Sequence, residues 1–275
     1  FVGGNDGMLH AFDDATGEEL WAFIPPNLLP KLKNLNGSLV EFFVDGSPKI
    51  YVERDGSNNI LKAILIFGQR RGGNRYIALD VTERLTPKFL WEINPSGRIL
   101  GTVIYSTTDY KELGQTWSTP QIGKIKSGTG EKWVAFIGGG YDTNQDNNPI
   151  TAPDSKGRAI YVVDVLDGSL VWSYSYAKNL EMAYPIPSDI QKVDTNGDGR
   201  IDRLYVGDMG GQIWRFDIGD SDAVANWTGK MIFKANSLTS DKRKLFSPPD
   251  VTLEKDSGNY EMLFFGTGDR EHPKE

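Results

Sequence analysis

The 275-residue sequence has no cysteine and two histidines, His10 and His272. The first absence excludes disulfides, a thiolate nucleophile and cysteine-ligated zinc or iron–sulfur sites. Two histidines so far apart in sequence argue against a multi-histidine metal centre and give a nucleophilic triad no support. Long apolar runs are also missing. The longest, such as residues 63–67 and 133–137, fall far short of the ~18–20 residues of a membrane-spanning helix. Positive charge is in deficit, with 30 Lys and Arg against 37 Asp and Glu and a net charge of −7. That balance argues against broad binding to nucleic acid or anionic membranes, which needs clustered Lys and Arg. It leaves carboxylates available for hard cations. Turn formers are plentiful, with 31 glycines and 14 prolines, and the 39% hydrophobic content suits a sizeable core.

The chain opens on Phe1-Val2-Gly3, inside what reads as a strand, and stops ten residues after another strand-like run at 262–265. It therefore reads as a piece of a longer polypeptide, and its lack of a leader carries no information about secretion.

Between these ends the sequence repeats. Short apolar runs end in Gly3, Gly68, Gly138, Gly207 and Gly266. After each of the first four comes a second run ending in aspartate, at Asp13, Asp80, Asp164 and Asp217. A tryptophan follows each, at Trp21, Trp91, Trp172 and Trp227. Ahead of the later glycine runs lies a segment opened by proline, at Pro48, Pro120, Pro187 and Pro248-Pro249. One unit thus reads as four short strands rich in Val, Ile, Tyr, Phe and Trp and bounded by Gly, Pro, Asn and Asp. Several runs are apolar on both faces, as a sheet sandwiched between two others requires. The fold expected is all-β: a modified β-propeller of four-stranded antiparallel blades spanning residues 1–275 as one domain. It is incomplete in this chain, with three strands of a first blade, three whole blades and two strands of a last. Residues 94–115 and 142–157 are expected as long loops. Trp117 and the tyrosines are expected to pack between blades.

One segment carries specific chemistry. Asp194-Thr195-Asn196-Gly197-Asp198-Gly199-Arg200-Ile201-Asp202 places side-chain oxygens at loop positions one, three and five and glycine at six, the front half of an EF-hand calcium loop. Arg200 would offer its carbonyl. Position twelve, where a glutamate is wanted, is Tyr205, so Asp202 at position nine must close the shell. Three carboxylates and one amide oxygen form a hard-oxygen set that favours Ca²⁺ over a transition metal. The flanks read as strands, which puts the loop in a β-hairpin. An Asx-rich turn without metal uses the same residue types. A weaker second metal candidate is Asp142, Asn144 and Asp146, in a stretch continuing to Asn148, with no glycine at six and no acid at nine or twelve. Asp217, Asp220 and Asp222 read as a surface turn. Residues 69–75 place Arg70, Arg71 and Arg75 in a glycine-rich turn where an anion or acidic partner has room, or which is simply a solvated blade turn.

Three stretches together resemble a known family: Val2-Gly3-Gly4-Asn5-Asp6-Gly7 through Asp13, Gly72-Gly73-Asn74-Arg75 through Thr82, and residues 194–217 ending Gly-Asp-Met-Gly-Gly-Gln-Ile-Trp-Arg-Phe-Asp. They are similar to the C-terminal β-propeller of the PilY/PilC family of type IV pilus biogenesis factors and tip adhesins. The resemblance implies a propeller with a calcium loop in one blade, ligated by Asp194, Asn196, Asp198, the Arg200 carbonyl and Asp202. It implies a non-enzymatic domain that promotes pilus assembly and opposes retraction in a calcium-dependent way, supporting adhesion and twitching motility. Pilins and minor pilins would be its partners, with a host-surface ligand met through an N-terminal region absent here. The implied location is extracytoplasmic: pilus tip, cell surface or outer membrane, with the periplasm in transit. Quinoprotein dehydrogenase propellers share the Ala-x-Asp-x-x-Thr-Gly-x-x-x-Trp pattern seen from Ala11 to Trp21, but many carry an adjacent cysteine pair that is missing here. A generic periplasmic assembly scaffold is a third reading.

Overall fold

The computed structural model describes residues 1–37, 40–147, 153–219, 223–235, 243–254 and 260–271. Asn148, Asp220, Asp222 and His272 lie outside the described residues. Five antiparallel sheets follow one another, each built from strands consecutive in sequence. The first pairs β1 (Val2–Gly3), β2 (Leu9–Phe12) and β3 (Glu19–Phe23). A 3-10 helical segment, Pro26–Asn36, leads to the second sheet: β4 (Lys49–Arg54), β5 (Ile60–Gly68), β6 (Tyr76–Asp80), β7 (Lys88–Asn94), β8 (Gly97–Leu100) and β9 (Val103–Ser106). The third holds β10 (Gln121–Ser127), β11 (Gly130–Gly138), β12 (Ala159–Asp164) and β13 (Leu170–Ser175). The fourth holds β14 (Gln191–Val193), β15 (Arg203–Gly207), β16 (Gln212–Asp217) and β17 (Thr228–Lys234), and β18 (Asp250–Glu254) pairs with β19 (Tyr260–Phe264) in the last. The leading strands β4, β10, β14 and β18 lie side by side in chain order, so the sheets radiate from a common hub. The described sheets are the blades of an open propeller. Among the described residues no helix is long and apolar enough to cross a membrane.

The blades cohere because each inner strand is apolar on both faces. In β12, Ile160 and Val162 join the core shared with the fourth sheet, while Ala159, Tyr161 and Val163 join the core shared with the second. In β5, Ile64 and Ile66 face the third sheet, and Ala63, Leu65 and Phe67 face the first. The period of two along a strand thus deals alternate side chains to two neighbouring blades.

The repeated glycines have a steric cause. A Cβ at Gly3 would meet the Val44 carbonyl oxygen at 2.2 Å, one at Gly68 the Thr116 oxygen at 2.7 Å, one at Gly138 the Ile186 oxygen at 2.4 Å, and one at Gly207 the Leu245 Cβ at 2.5 Å. In the first three units the segment entering the next blade's leading strand crosses the end of the second strand at backbone contact distance, and at Gly207 it presses the Leu245 side chain there instead. The repeated aspartates cap turns: Asp13, Asp80 and Asp164 each accept the amide of the residue two ahead, from Ala15, Thr82 and Leu166. The tryptophans latch blades together. Trp21 Nε1 donates to Arg84 O and Trp91 Nε1 to Val165 O, each in the next sheet. Gly168 lies flat on the Trp91 ring, where a Cβ would come within 2.8 Å.

Two expectations needed correction. Residues 94–115 are not one loop, because β8 and β9 form a hairpin that widens the second blade to six strands. It reaches across to the third blade, where Arg98 Nη1 donates to Asp167 O at 2.7 Å and the nearby Tyr110 hydroxyl donates to Gly168 O. Trp117 does not pack between blades. It lies at the hub against Tyr141 and Phe246, under the Arg70 guanidinium 4.5 Å from its ring centre.

Replacing Gly138 by alanine is expected to lower the unfolding free energy by about 2 kcal/mol or more through backbone overpacking. Gly56→Ala, where a Cβ meets nothing within 4 Å, should stay within about 0.5 kcal/mol of wild type. Urea titrations of the two variants provide the comparison, and equal midpoints would refute the steric account.

Candidate functional site

The oxygen-rich loop hangs from a short hairpin. Val193 pairs with Arg203 at the end of the β14–β15 ladder, and residues 194–202 form the bend between them. The Asp202 amide donates to Val193 O at 3.0 Å. Thr195 donates its amide (2.8 Å) and its hydroxyl (2.7 Å) to Asp202 Oδ2. Ile201 N donates to Lys124 O at 2.8 Å, which moors the loop to the third blade. The Asp202 carbonyl accepts Ile218 N and Gly219 N, so the same residue braces the exit from β16.

Within the bend, alternate side chains fold back on the main chain. Asp194 accepts Gly197 N on Oδ1 and Gly199 N on Oδ2, both at 2.7 Å. Asn196 Oδ1 accepts Asp198 N at 2.8 Å, and Asp198 Oδ1 accepts Arg200 N at 2.9 Å. Gly197 and Gly199 sit at φ +80° and +84°, the left-handed region that glycine enters freely. The Arg200 guanidinium rests on Asp198 Oδ2, with Nε at 3.0 Å. That contact and the Arg200 amide hold the Asp198 carboxyl below the usual range. The oxygen set of the bend, with no nitrogen or sulfur donor, is of the type that suits a hard divalent cation. Both Asp194 oxygens keep a lone pair after accepting one N–H each, whereas Asp202 Oδ2 and Asp198 Oδ2 already accept two donors. The carboxylates of Asp194, Asp198 and Asp202 are not drawn into one cluster, and among the described residues no three acidic or histidine side chains are so grouped.

The second candidate is differently engaged. Asp142 is buried, and its Oδ2 accepts Ser155 N, Ser155 Oγ and Lys156 N at 2.7–2.8 Å, while Oδ1 accepts Asn144 N. Burial pushes its pKa up, but these donors outweigh burial and hold it below the ordinary value. Asn144 Nδ2 and Gln145 Nε2 donate to Asp154 at 2.6 and 2.8 Å, and Asp146 accepts the Tyr141 hydroxyl. Asp142, Asn144 and Asp146 therefore turn to three different partners around the short 3-10 turn Thr143–Asp146. His10 lies between Glu19 (2.7 Å) and Asp6 (2.8 Å), and its pKa is raised, chiefly by the Glu19 hydrogen bond.

Among the described residues four buried carboxyls escaped the sequence reading: Glu92, Glu112, Asp154 and Asp208. Asp154 is 1% exposed, and burial pushes it to about 6. Asp208 is fully buried, with its carboxyl accepting Trp214 Nε1 (2.9 Å), Gln212 N (3.0 Å) and Gly210 N (2.9 Å). Burial outweighs these donors and raises Asp208 to about 7. The Gly-Asp-x-Gly-Gly turn was the available signal for Asp208. Nothing local marks Asp154, which is defined by partners nine and ten residues away.

A family model, the PilY1 beta-propeller domain, matches residues 1–251. The type IV pilus biogenesis factor PilY1 of Pseudomonas aeruginosa (strain UCBPP-PA14) is 29% identical over 296 residues, covering 98% of this chain and 23% of that protein. A type IV pilus biogenesis factor PilY1 homolog of Xylella fastidiosa (strain Temecula1 / ATCC 700964) is 30% identical over 274 residues, covering 98% of this chain and 19% of that protein. The chain thus spans less than a quarter of either relative. The crystal structure of the Pseudomonas aeruginosa PilY1 C-terminal domain aligns with a TM-score of 0.70 at 26% identity, covering 98% of this chain and 52% of that one.

The Asp208 carboxyl sets a pH test. The folded chain holds this proton up to about pH 7, whereas the unfolded chain releases it near pH 4. Stability from this group is therefore full below about pH 4 and is lost as pH rises to about 7, with no further change above. Wild type is expected to lose stability relative to Asp208→Asn across that window, as measured by urea midpoints from pH 4 to 8. Parallel profiles would refute it.

Proposed function

The chain belongs to the PilY1 β-propeller domain family, and from that premise we propose that it is a calcium-stiffened propeller module of a type IV pilus biogenesis factor. The observation that carries the calcium reading is the bend at 194–202. It sets three carboxylates and an amide oxygen at alternate positions, and main-chain amides pre-orient Asp194, Asn196 and Asp198. Asp194, Asn196, Asp198, Asp202 and the Arg200 carbonyl would hold the ion. Bound there, Ca²⁺ supplies two positive charges to a bend whose side chains carry three negative charges and the single positive charge of Arg200.

The chain's own contribution is mechanical. Val193 and Arg203 clamp the ends of the bend, and Ile201 and Asp202 tie it to β10 and β16. Rigidity gained in the bend therefore passes directly into two blades. Without the cation, mutual repulsion of the three carboxylates opposes closure of the bend. The function supported is promotion of pilus assembly against retraction, with pilins and minor pilins as partners at an extracytoplasmic location. Adhesion and twitching motility would follow from the pili so maintained. The similarity to pilus biogenesis factors along nearly the whole chain supports a non-enzymatic role.

Asp202→Asn keeps an acceptor for Thr195 but removes a charge, and it is expected to weaken Ca²⁺ binding about tenfold or more in titration calorimetry. Arg200→Gln keeps the carbonyl and should bind at least as well as wild type. Cells carrying Asp202→Asn are expected to show fewer surface pili. An unchanged isotherm for Asp202→Asn sinks the ion assignment, and equal piliation with a lost isotherm sinks its role in assembly.

A further inference from the structure

At the opposite face of the propeller from the bend, the turns that follow the second strands meet around the hub. There a groove of about 390 Å³ is lined by Lys31, Arg71, Asn74, Gln115, Tyr141 and Lys156. Its three cations come from three separate segments: the helical stretch between the first two sheets, the β5–β6 turn and the β11–β12 connection. Lys31 Nζ is steadied by Gly72 O at 2.9 Å and Lys156 Nζ by Lys111 O at 2.5 Å. Neither has a carboxylate within ion-pair distance among the described residues. Asp142, the acid lining the groove, spends its oxygens on four N–H and O–H donors. The groove thus sets three cations against two acids, the ionised Asp142 and the Glu271 on Arg71, a small positive excess on a chain whose net charge is −7.

The chain also shows which chemistry the groove accepts. Arg71 pairs with the carboxylate of Glu271, from the segment that follows the last strand, while keeping 37% of its own side chain exposed. Arg71 is further held over the Phe42 ring at 4.8 Å. A peptide carboxylate on a stacked guanidinium is thus already present at one end of the groove. Nearby glycines leave its wall free of side chains: Gly72, Gly73 and Gly114 line it in succession. The cations come from separate segments of the chain, an arrangement that suits several carboxylates of one peptide.

The geometry points to this groove as a docking site for an acidic peptide segment of a protein partner. Carboxylates of the partner replace Glu271 on Arg71 and reach Lys31 and Lys156. The Glu271 side chain is only 11% exposed, so a docking carboxylate must compete with a part-buried partner rather than a freely solvated one. Charge complementarity of this kind sets the partner's class and speeds its capture, and it weakens with salt. The inference does not depend on calcium, because the bend at 194–202 is at the other end of the strands.

The test is fluorescence anisotropy with the purified protein and fluorescein-labelled hexaglutamate at low salt, with labelled hexaglutamine as the control. Hexaglutamate is expected to bind and hexaglutamine not. Arg71→Gln should weaken binding about tenfold, and Lys156→Gln, at an exposed site, several-fold. Glu271→Gln should tighten binding, because it removes the competing carboxylate. Lys88→Gln, on an outer strand remote from the groove, should leave binding unchanged. Equal binding of the two peptides overturns the proposal, as does insensitivity to both Arg71→Gln and Lys156→Gln. Displacement of hexaglutamate by inorganic phosphate at matched charge would make the groove a small-anion site and also overturn it.

Discussion

Burial of each blade on both of its faces is the constraint on which the rest of this structure depends. A sheet that is polar on one side can stand at a surface, but a strand such as β12, apolar at every position from Ala159 to Val163, requires a partner on each side. Alternate residues then belong to different cores, and no blade can settle before its neighbours. The three main cores each lie between successive sheets. The propeller arrangement is the geometry in which such sheets satisfy one another, and the leading strands converge because the sheets must pack face to face while following the chain.

That convergence dictates the hub. Where connecting segments cross the ends of second strands there is no room for a side chain, so glycine recurs at Gly3, Gly68, Gly138 and Gly207. The same crowding buries polar main chain and side chains together, and Asp208 and Asp154 are the acceptors that answer it. Their raised pKa values are the cost of placing a carboxyl where donors are needed but water is excluded. At the other end of the strands the bend at 194–202 carries its carboxylates at half-buried to exposed positions.

The repeat, the four strands of the third and fourth blades and the position of the oxygen-rich bend were legible in the sequence, because each rests on a local rule. A glycine pinned by backbone contact, an aspartate capping a turn and a tryptophan bridging to the next blade all recur at nearly fixed offsets. The β8–β9 hairpin was not legible, since its short runs around Gly101 resemble a polar loop and its stability comes from Arg98 and Tyr110 reaching Asp167 and Gly168, 69 and 58 residues away. The stretch from Asp142 showed a similar limit. Spacing alone suggested ligands, but Ser155 and Lys156 claim Asp142, and Asp154 claims the Asn144 amide. Such pairings belong to tertiary structure, and a pattern of residue types cannot display them.

The tryptophan latches give the assembly a direction. Trp21 and Trp91 each reach into the blade that follows through an indole N–H, so each of these two seams is fastened by a strand of the earlier blade, and the polarity of the chain is carried over into the polarity of its joints.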